Sequence, residues 1–350
     1  MPIRETPRPL SGAGAAALRG CRFAGPRRAA GRTRSARRGG VAPERERRAA
    51  LRATAHRELV GAAPGASTRR AFLKRLGAAL ALGTLPRCAD PGDRTRPPPP
   101  GPDLGIQLYT VRSILPEDFE GTLARLAGIG YREVEFAGYH GRDPAAVRAA
   151  LDAAGLRAPS AHVAIEALDA DWERTLEAAH VIGHQWLIVA WIPEELRPDL
   201  DGYRRIAERF NQAAAAAREA GIGFAYHNHD FEFAPLEGRT PYDVLLEETD
   251  PDLVRLELDL YWITKGGHDP LDYFARYPGR FPLVHVKDMG PDGGMVDVGK
   301  GTIDFARIIA RGEEAGIRHW FVEHDVPADP MRTARVSYEN LRRLMDARGA

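Results

Sequence analysis

Six short apolar runs in the C-terminal part of the chain end in ionizable side chains. Glu135 and His162 close two of them, His227-Asn228-His229-Asp230-Phe231-Glu232 a third, and Leu258-Asp259 a fourth. The last two end in His285-Val286-Lys287-Asp288 and Glu323-His324-Asp325. An ionizable group at the end of a buried run is costly unless it is paired, hydrogen-bonded or bound to metal. Its recurrence at six ends points to one shared polar site. His, Asp and Glu are the donors that hold Mn²⁺, Mg²⁺, Co²⁺ or Zn²⁺, with oxygen donors favouring the harder ions. Cys21 and Cys88 both precede this region, so it has no thiolate for ligation or catalysis and no disulfide. Taken singly, His162 and Glu135 read as hydrogen-bonded rim residues, and Lys287 as a partner of Asp288 or Glu257. Asp259, His285 and Glu323 read together as ligands, because three separate runs deliver donor groups at equivalent heights.

The runs that carry these groups alternate with longer amphipathic stretches. Strands are expected at Gly105–Thr110, Glu133–Phe136, Ala158–Val163, Trp186–Ala190, Gly223–His227, Val254–Leu260, Leu283–Val286 and Trp320–Glu323. Helices are expected at Glu117–Ala127, Pro144–Ala154, Trp172–Ile182, Tyr203–Ala220 and Phe305–Ala315. Three of these end in Ala-Gly (Gly155, Gly221, Gly316), and glycine just past the last turn is the usual C-cap. Near-continuous apolar strands alternating with helices imply a parallel sheet. Eight such units in about 250 residues imply closure into a (β/α)8 TIM barrel, with function at the C-terminal strand ends. A doubly wound open sheet is the competing architecture, but no Gly-rich phosphate loop follows the first strand.

The segments Gly105-Ile-Gln-Leu-Tyr-Thr-Val-Arg112, Glu133-Val-Glu-Phe-Ala-Gly138, Tyr226-His-Asn-His-Asp-Phe-Glu232, Leu256-Glu-Leu-Asp259, His285-Val-Lys-Asp288 and Val298-Gly-Lys-Gly301 resemble the xylose-isomerase-like superfamily. More closely, they are similar to its sugar phosphate isomerase/epimerase branch, across 104–345. The resemblance implies a divalent metal held by a strand-five residue, a strand-six Asp, a strand-seven His and a strand-eight Glu. The last three fall on Asp259, His285 and Glu323. Related ketose 3-epimerases place at strand five a Glu that is both ligand and base. This chain has Tyr226-His227-Asn228 there, so His227 is the expected ligand and His229 the second choice. Glu232 matches a further family carboxylate behind the ligands, and Glu135 is expected there or at the substrate.

The implied activity is isomerization or epimerization of a keto sugar through an enediolate. Glu323 would accept the α-proton, His162 or His229 would return one or protonate a leaving group, and Lys287 would stabilize negative charge. One carboxylate base fewer than in the 3-epimerases, together with the expected export, leaves open a metal-dependent lyase or hydrolase acting on keto-glycosides. A non-catalytic, exported sugar-binding barrel is the alternative from outside the enzymes.

Charge divides the chain. Residues 1–60 carry a net +11 and 61–100 a net +5, leaving −15 on 101–350. An acidic body of that size repels a phosphate backbone, so nucleic acid is excluded as a partner and a small-molecule carbohydrate is expected. Residues 1–66 form an Arg/Ala-rich leader that reads as disordered, with Val60 a candidate for the true start. In 67–90, Ser67-Thr68-Arg69-Arg70-Ala71-Phe72-Leu73-Lys74 and the mildly apolar run after it resemble a twin-arginine signal. The expectation is export to the periplasm, with the twin-arginine export machinery as a partner. Leu85-Pro86-Arg87 makes a poor lipoprotein signal, so Cys88 is expected not to be a lipid anchor. Residues 91–103 are a Pro-rich linker, and 104–350 the barrel.

Overall fold

The computed structural model describes residues 102–348. The leader, the twin-arginine segment, Cys21, Cys88 and all but the end of the linker lie outside the described residues. Eight parallel strands form the barrel: β1 (Leu104–Gln107), β2 (Glu133–Phe136), β3 (Arg157–Val163), β4 (Trp186–Val189), β5 (Gly223–His227), β6 (Val254–Asp259), β7 (Leu283–Val286) and β8 (His319–Val322). They pair in sequence order, and β1 closes on β8. The expected TIM barrel is the fold observed.

The helices between them follow local chemistry. Asp118, Asp143, Asp199 and Asp304 each accept a hydrogen bond from a backbone N–H in the first turn of the helix they start. Those helices are Phe119–Ile129, Pro144–Ala154, Leu200–Glu219 and Phe305–Ala310. Such caps move two expected starts, from Glu117 to Phe119 and from Tyr203 to Leu200. The stretch expected as one helix over Phe305–Ala315 breaks at Arg311 into two short helices. The first strand stops at Gln107 rather than Thr110. The Gln107 side-chain oxygen accepts from the Tyr109 N–H (3.0 Å), turning the chain into a 3₁₀ turn over Leu108–Val111.

Alternate strand residues face the barrel interior. Ile188, Ala225, Leu283 and Phe321 make an apolar layer across it. A Cβ at position 105 would collide with the Phe321 ring, so β1 passes this layer only as glycine. One step towards the N-terminal end, Glu133 accepts from His319 (2.8 Å). One step the other way, the interior turns polar, and that layer is the floor of the site.

Candidate active site

The deeper part of the floor is built on Glu135. Its carboxylate accepts from Gln107 on β1 (2.7 Å), Ser160 on β3 (2.5 Å) and His285 Nε2 on β7 (2.7 Å). His162 Nε2 lies 3.0 Å from Glu135 and 2.8 Å from Glu257. Burial alone would depress the His162 imidazole, but these two carboxylates outweigh it and raise its pKa to about 9. Burial would likewise raise Glu135, yet the His162 and His285 imidazoles hold it well below the usual carboxylate range. His162 is thus a cation at neutral pH, shared by two carboxylates.

Above this lie Asp259, His285 and Glu323. Asp259 divides its two oxygens. Oδ1 caps the short helix Leu260–Lys265 by accepting from the Tyr261 and Trp262 N–H groups (both 2.9 Å), while Oδ2 faces the site. Burial raises the Asp259 pKa to about 6, against the pull of Lys287 and His285. His285 Nδ1 lies 2.5 Å from Glu323 Oε2 and 3.8 Å from Asp259 Oδ2. Lys287 is not paired with Asp288 or Glu257: its ammonium is 3.0 Å from Asp259 Oδ2, 2.9 Å from Glu323 Oε2 and 2.9 Å from Asp325 Oδ1. Burial opposes that charge, but the three carboxylates keep Lys287 well above its ordinary range. Burial would raise Glu323, and Lys287 with His285 instead pulls it far down.

The donor set fits a divalent ion. Asp259, His285 and Glu323 are buried, donor atoms from these three residues lie within 4.8 Å of one another, and their partners there are one another and the Lys287 ammonium. Three carboxylates around one ammonium leave two negative charges, which a divalent cation neutralizes. Glu135 on Nε2 leaves the opposite ring nitrogen of His285 facing the oxygens, the usual arrangement of a metal-binding histidine. Glu257, Glu323 and Glu135 outweigh burial and hold His285 well above its ordinary range, so an ion at Nδ1 competes with a proton. His227 falls beside this trio rather than within it. Its Nε2 is 3.8 Å from Asp259 Oδ2, and it groups with His162, Glu257 and His285.

A cavity of about 590 Å³ opens over the floor, and His162, His227, His229, Lys287, Glu323 and Asp325 reach it. Burial pushes the His227 and His229 imidazoles down, His229 to about 3, so both are neutral acceptors at pH 7. Glu232 does not line the cavity. It accepts from the Tyr226 hydroxyl and from the His229 N–H (2.9 Å), holding the loop that carries His229. Asp288 also turns away, accepting from the N–H groups of Met289, Gly299 and Gly301 (each 2.8 Å). A Cβ at Gly301 would strike that carboxylate, which accounts for the glycine in Val298-Gly-Lys-Gly301.

Gln107, Ser160 and Glu257 are parts of the site that the sequence does not single out. For Glu257 a signal existed: it stands two residues before Asp259 on one strand, and so on the same inward face.

The xylose isomerase-like TIM barrel description matches residues 123–346, and the chain belongs to that family. An inosose dehydratase from Geobacillus kaustophilus is 27% identical over 268 residues, covering 64% of this chain and 86% of the relative. A solved sugar phosphate isomerase/epimerase from Parabacteroides distasonis is 26% identical with a TM-score of 0.62, covering 72% of this chain and 96% of that one. The IolI protein, solved with a bound zinc atom, matches with a TM-score of 0.58 over 70% of this chain and 98% of its own. At 13% identity that likeness is one of fold.

Proposed function

We propose that this chain is an enzyme that removes the proton beside the carbonyl of a keto sugar or cyclic keto-polyol. A divalent ion would be held by Asp259, His285 and Glu323, with His227 as an adjacent fourth donor. The observation that carries this reading is the convergence of buried donor atoms from Asp259, His285 and Glu323, within 4.8 Å of one another, at the floor of the cavity. When bound, such an ion supplies Lewis-acid charge beside the carbonyl and its neighbouring hydroxyl.

The residues divide the remaining work. Glu323 stays a carboxylate and takes the α-proton. Lys287 is the cation nearest the charge that develops on the substrate oxygen. His162, protonated, is the donor that returns a proton; His229, neutral, is the competing acceptor. Return of the proton completes an isomerization or epimerization.

A second reading ends in elimination: the C–H proton goes to the base, the C–O bond beyond it breaks, and His162 protonates the departing oxygen. Two observations favour it. A neutral His227 stands where a second carboxylate base would be needed, and a 27% identical relative is an inosose dehydratase.

Proton NMR in D₂O, on metal-loaded protein with a panel of keto sugars and inososes, tests both readings. Exchange of the α-proton is expected, and the product separates them: an isomer for the first, an unsaturated or dehydrated ketone for the second. Bound metal with no exchange across the panel would sink the enzymatic reading and leave a sugar-binding barrel.

A further inference from the structure

Among the described residues four large apolar side chains stand well out of the surface: Tyr109, Val181, Trp191 and Val326, at 40%, 49%, 49% and 72% exposure. A single exposed apolar side chain needs no explanation. Three of these four, however, line one cavity, the one over the polar floor. They arrive on three separate loops, after β1, β4 and β8. Because β1 and β8 are neighbours and β4 lies across the barrel, the mouth has an apolar wall on each side.

The two aromatic rings are braced in that exposed position. The Arg112 guanidinium lies 3.8 Å from the Tyr109 ring centre and donates to the Tyr109 carbonyl (2.8 Å). Trp191 stands edge-on to His229 and Phe231, with ring centres 5.0 and 5.1 Å away. Arg197 stacks 3.7 Å over Phe231 and donates to the Ile192 carbonyl (2.9 Å), holding the turn that presents Trp191. Rings fixed in advance lose little freedom when a ligand arrives.

The two levels of the cavity therefore suit different partners. The floor is charged and takes a carbonyl and hydroxyls. The mouth offers two aromatic rings and an aliphatic side chain, which suit the C–H face of a pyranose or an aromatic ring. The cavity volume also lies in the range of roughly 300–1,000 Å³ common to small-molecule sites.

We propose that the mouth is a subsite for a second ring. The substrate is then a glycoside, its keto-sugar unit on the floor and its second sugar or aromatic unit between Trp191 and the Tyr109–Val326 wall. The assignment of the floor rests on the function proposed above; the second-ring subsite rests on the exposed, braced rings.

Calorimetry on the metal-loaded full chain tests it with sugars that differ by one ring: fructose against turanose, glucose against maltose, galactose against lactose. In at least one pair the disaccharide is expected to bind more tightly. Trp191→Ala and Tyr109→Ala are each expected to cut that preference about 2–10-fold, the size of one aromatic contact, while changing monosaccharide affinity far less. Equal affinity within every pair, or a preference unchanged in both variants, overturns the subsite. Running the D₂O exchange on the same samples separates the two proposals. Exchange without any disaccharide preference overturns the subsite and leaves the floor chemistry standing. A preference lost in Trp191→Ala, with no exchange, supports the subsite and counts against that chemistry.

Discussion

Asp259 shows how one side chain can serve fold and site together. One oxygen caps a helix, so the other is held in place, facing the Lys287 ammonium and the site. Glu135 does the complementary work from below by accepting from His285 Nε2. Removing its charge while keeping its shape, Glu135→Gln, is therefore expected to weaken divalent-metal affinity about 10–100-fold, as such supporting groups generally do. Titration calorimetry checks this, and affinity unchanged within error would reduce Glu135 to scaffolding. Glu323→Gln addresses the base. At saturating metal, α-proton exchange should fall by about 10²–10⁴-fold, whereas retained exchange in Glu323→Gln together with its loss in His229→Ala would move the base to His229. At this scale the sequence shows the donors at or beside strand ends. Asp259 and Glu323 are readable because each ends an apolar run, and His285 because it stands one residue from the end of another. Glu257 and Ser160 are harder to read because they lie one layer deeper within strands, where only a partner from another strand explains them. Lys287 is expected beside Asp288 or Glu257, yet its partners are Asp259 on β6 and Glu323 and Asp325 after β8.

Elements hold these residues through buried polar ties as well as through packing. His184, in the connection between Trp172–Ile182 and β4, joins three parts of the barrel wall. Its Nδ1 contacts the Ala158 carbonyl at the start of β3 (2.7 Å), and its Nε2 the Tyr139 hydroxyl after β2 (3.0 Å). Burial pushes its pKa down to about 4, from an ordinary value near 6.5. Between those values the unfolded chain binds a proton that the folded chain does not, so stability rises with pH across the window. The contribution of His184 is thus present above about pH 6.5 and lost as pH falls towards 4. Denaturant unfolding from pH 7 to 4 should show a shallower loss in His184→Gln than in the parent; parallel curves would show that His184 does not titrate in this range. Element types and order were readable from periodicity and from the Ala-Gly helix ends. The boundaries that moved, at Gln107, Asp118 and Asp199, are those where a side chain captures a backbone N–H, a local event that hydrophobic periodicity does not register.

The whole molecule is divided by charge and by chain order. Net +16 precedes residue 101, and the barrel that follows is acidic. The site cannot exist in a fragment of that barrel: Glu135 and Glu323 lie at opposite ends of its sequence, yet both contact His285. The floor therefore assembles only when the closing strand β8 has docked between β1 and β7. A protein exported unfolded would have to build this floor and find its metal outside the cell, whereas one exported folded can carry both. That consideration joins the Arg69-Arg70 pattern in supporting our proposal of export by the twin-arginine route. Replacing both arginines with lysine keeps the charge but removes the pair. The variant is expected to accumulate inside the cell with its metal bound, while the parent reaches the periplasm. Fractionation with elemental analysis of each fraction measures both quantities. Equal periplasmic yield from the Lys-Lys variant would defeat the export proposal and leave the barrel and its site untouched. Parent protein recovered from the periplasm without metal, beside a metal-loaded cytoplasmic variant, would instead show that loading does not survive export and that the ion is taken up from the surroundings.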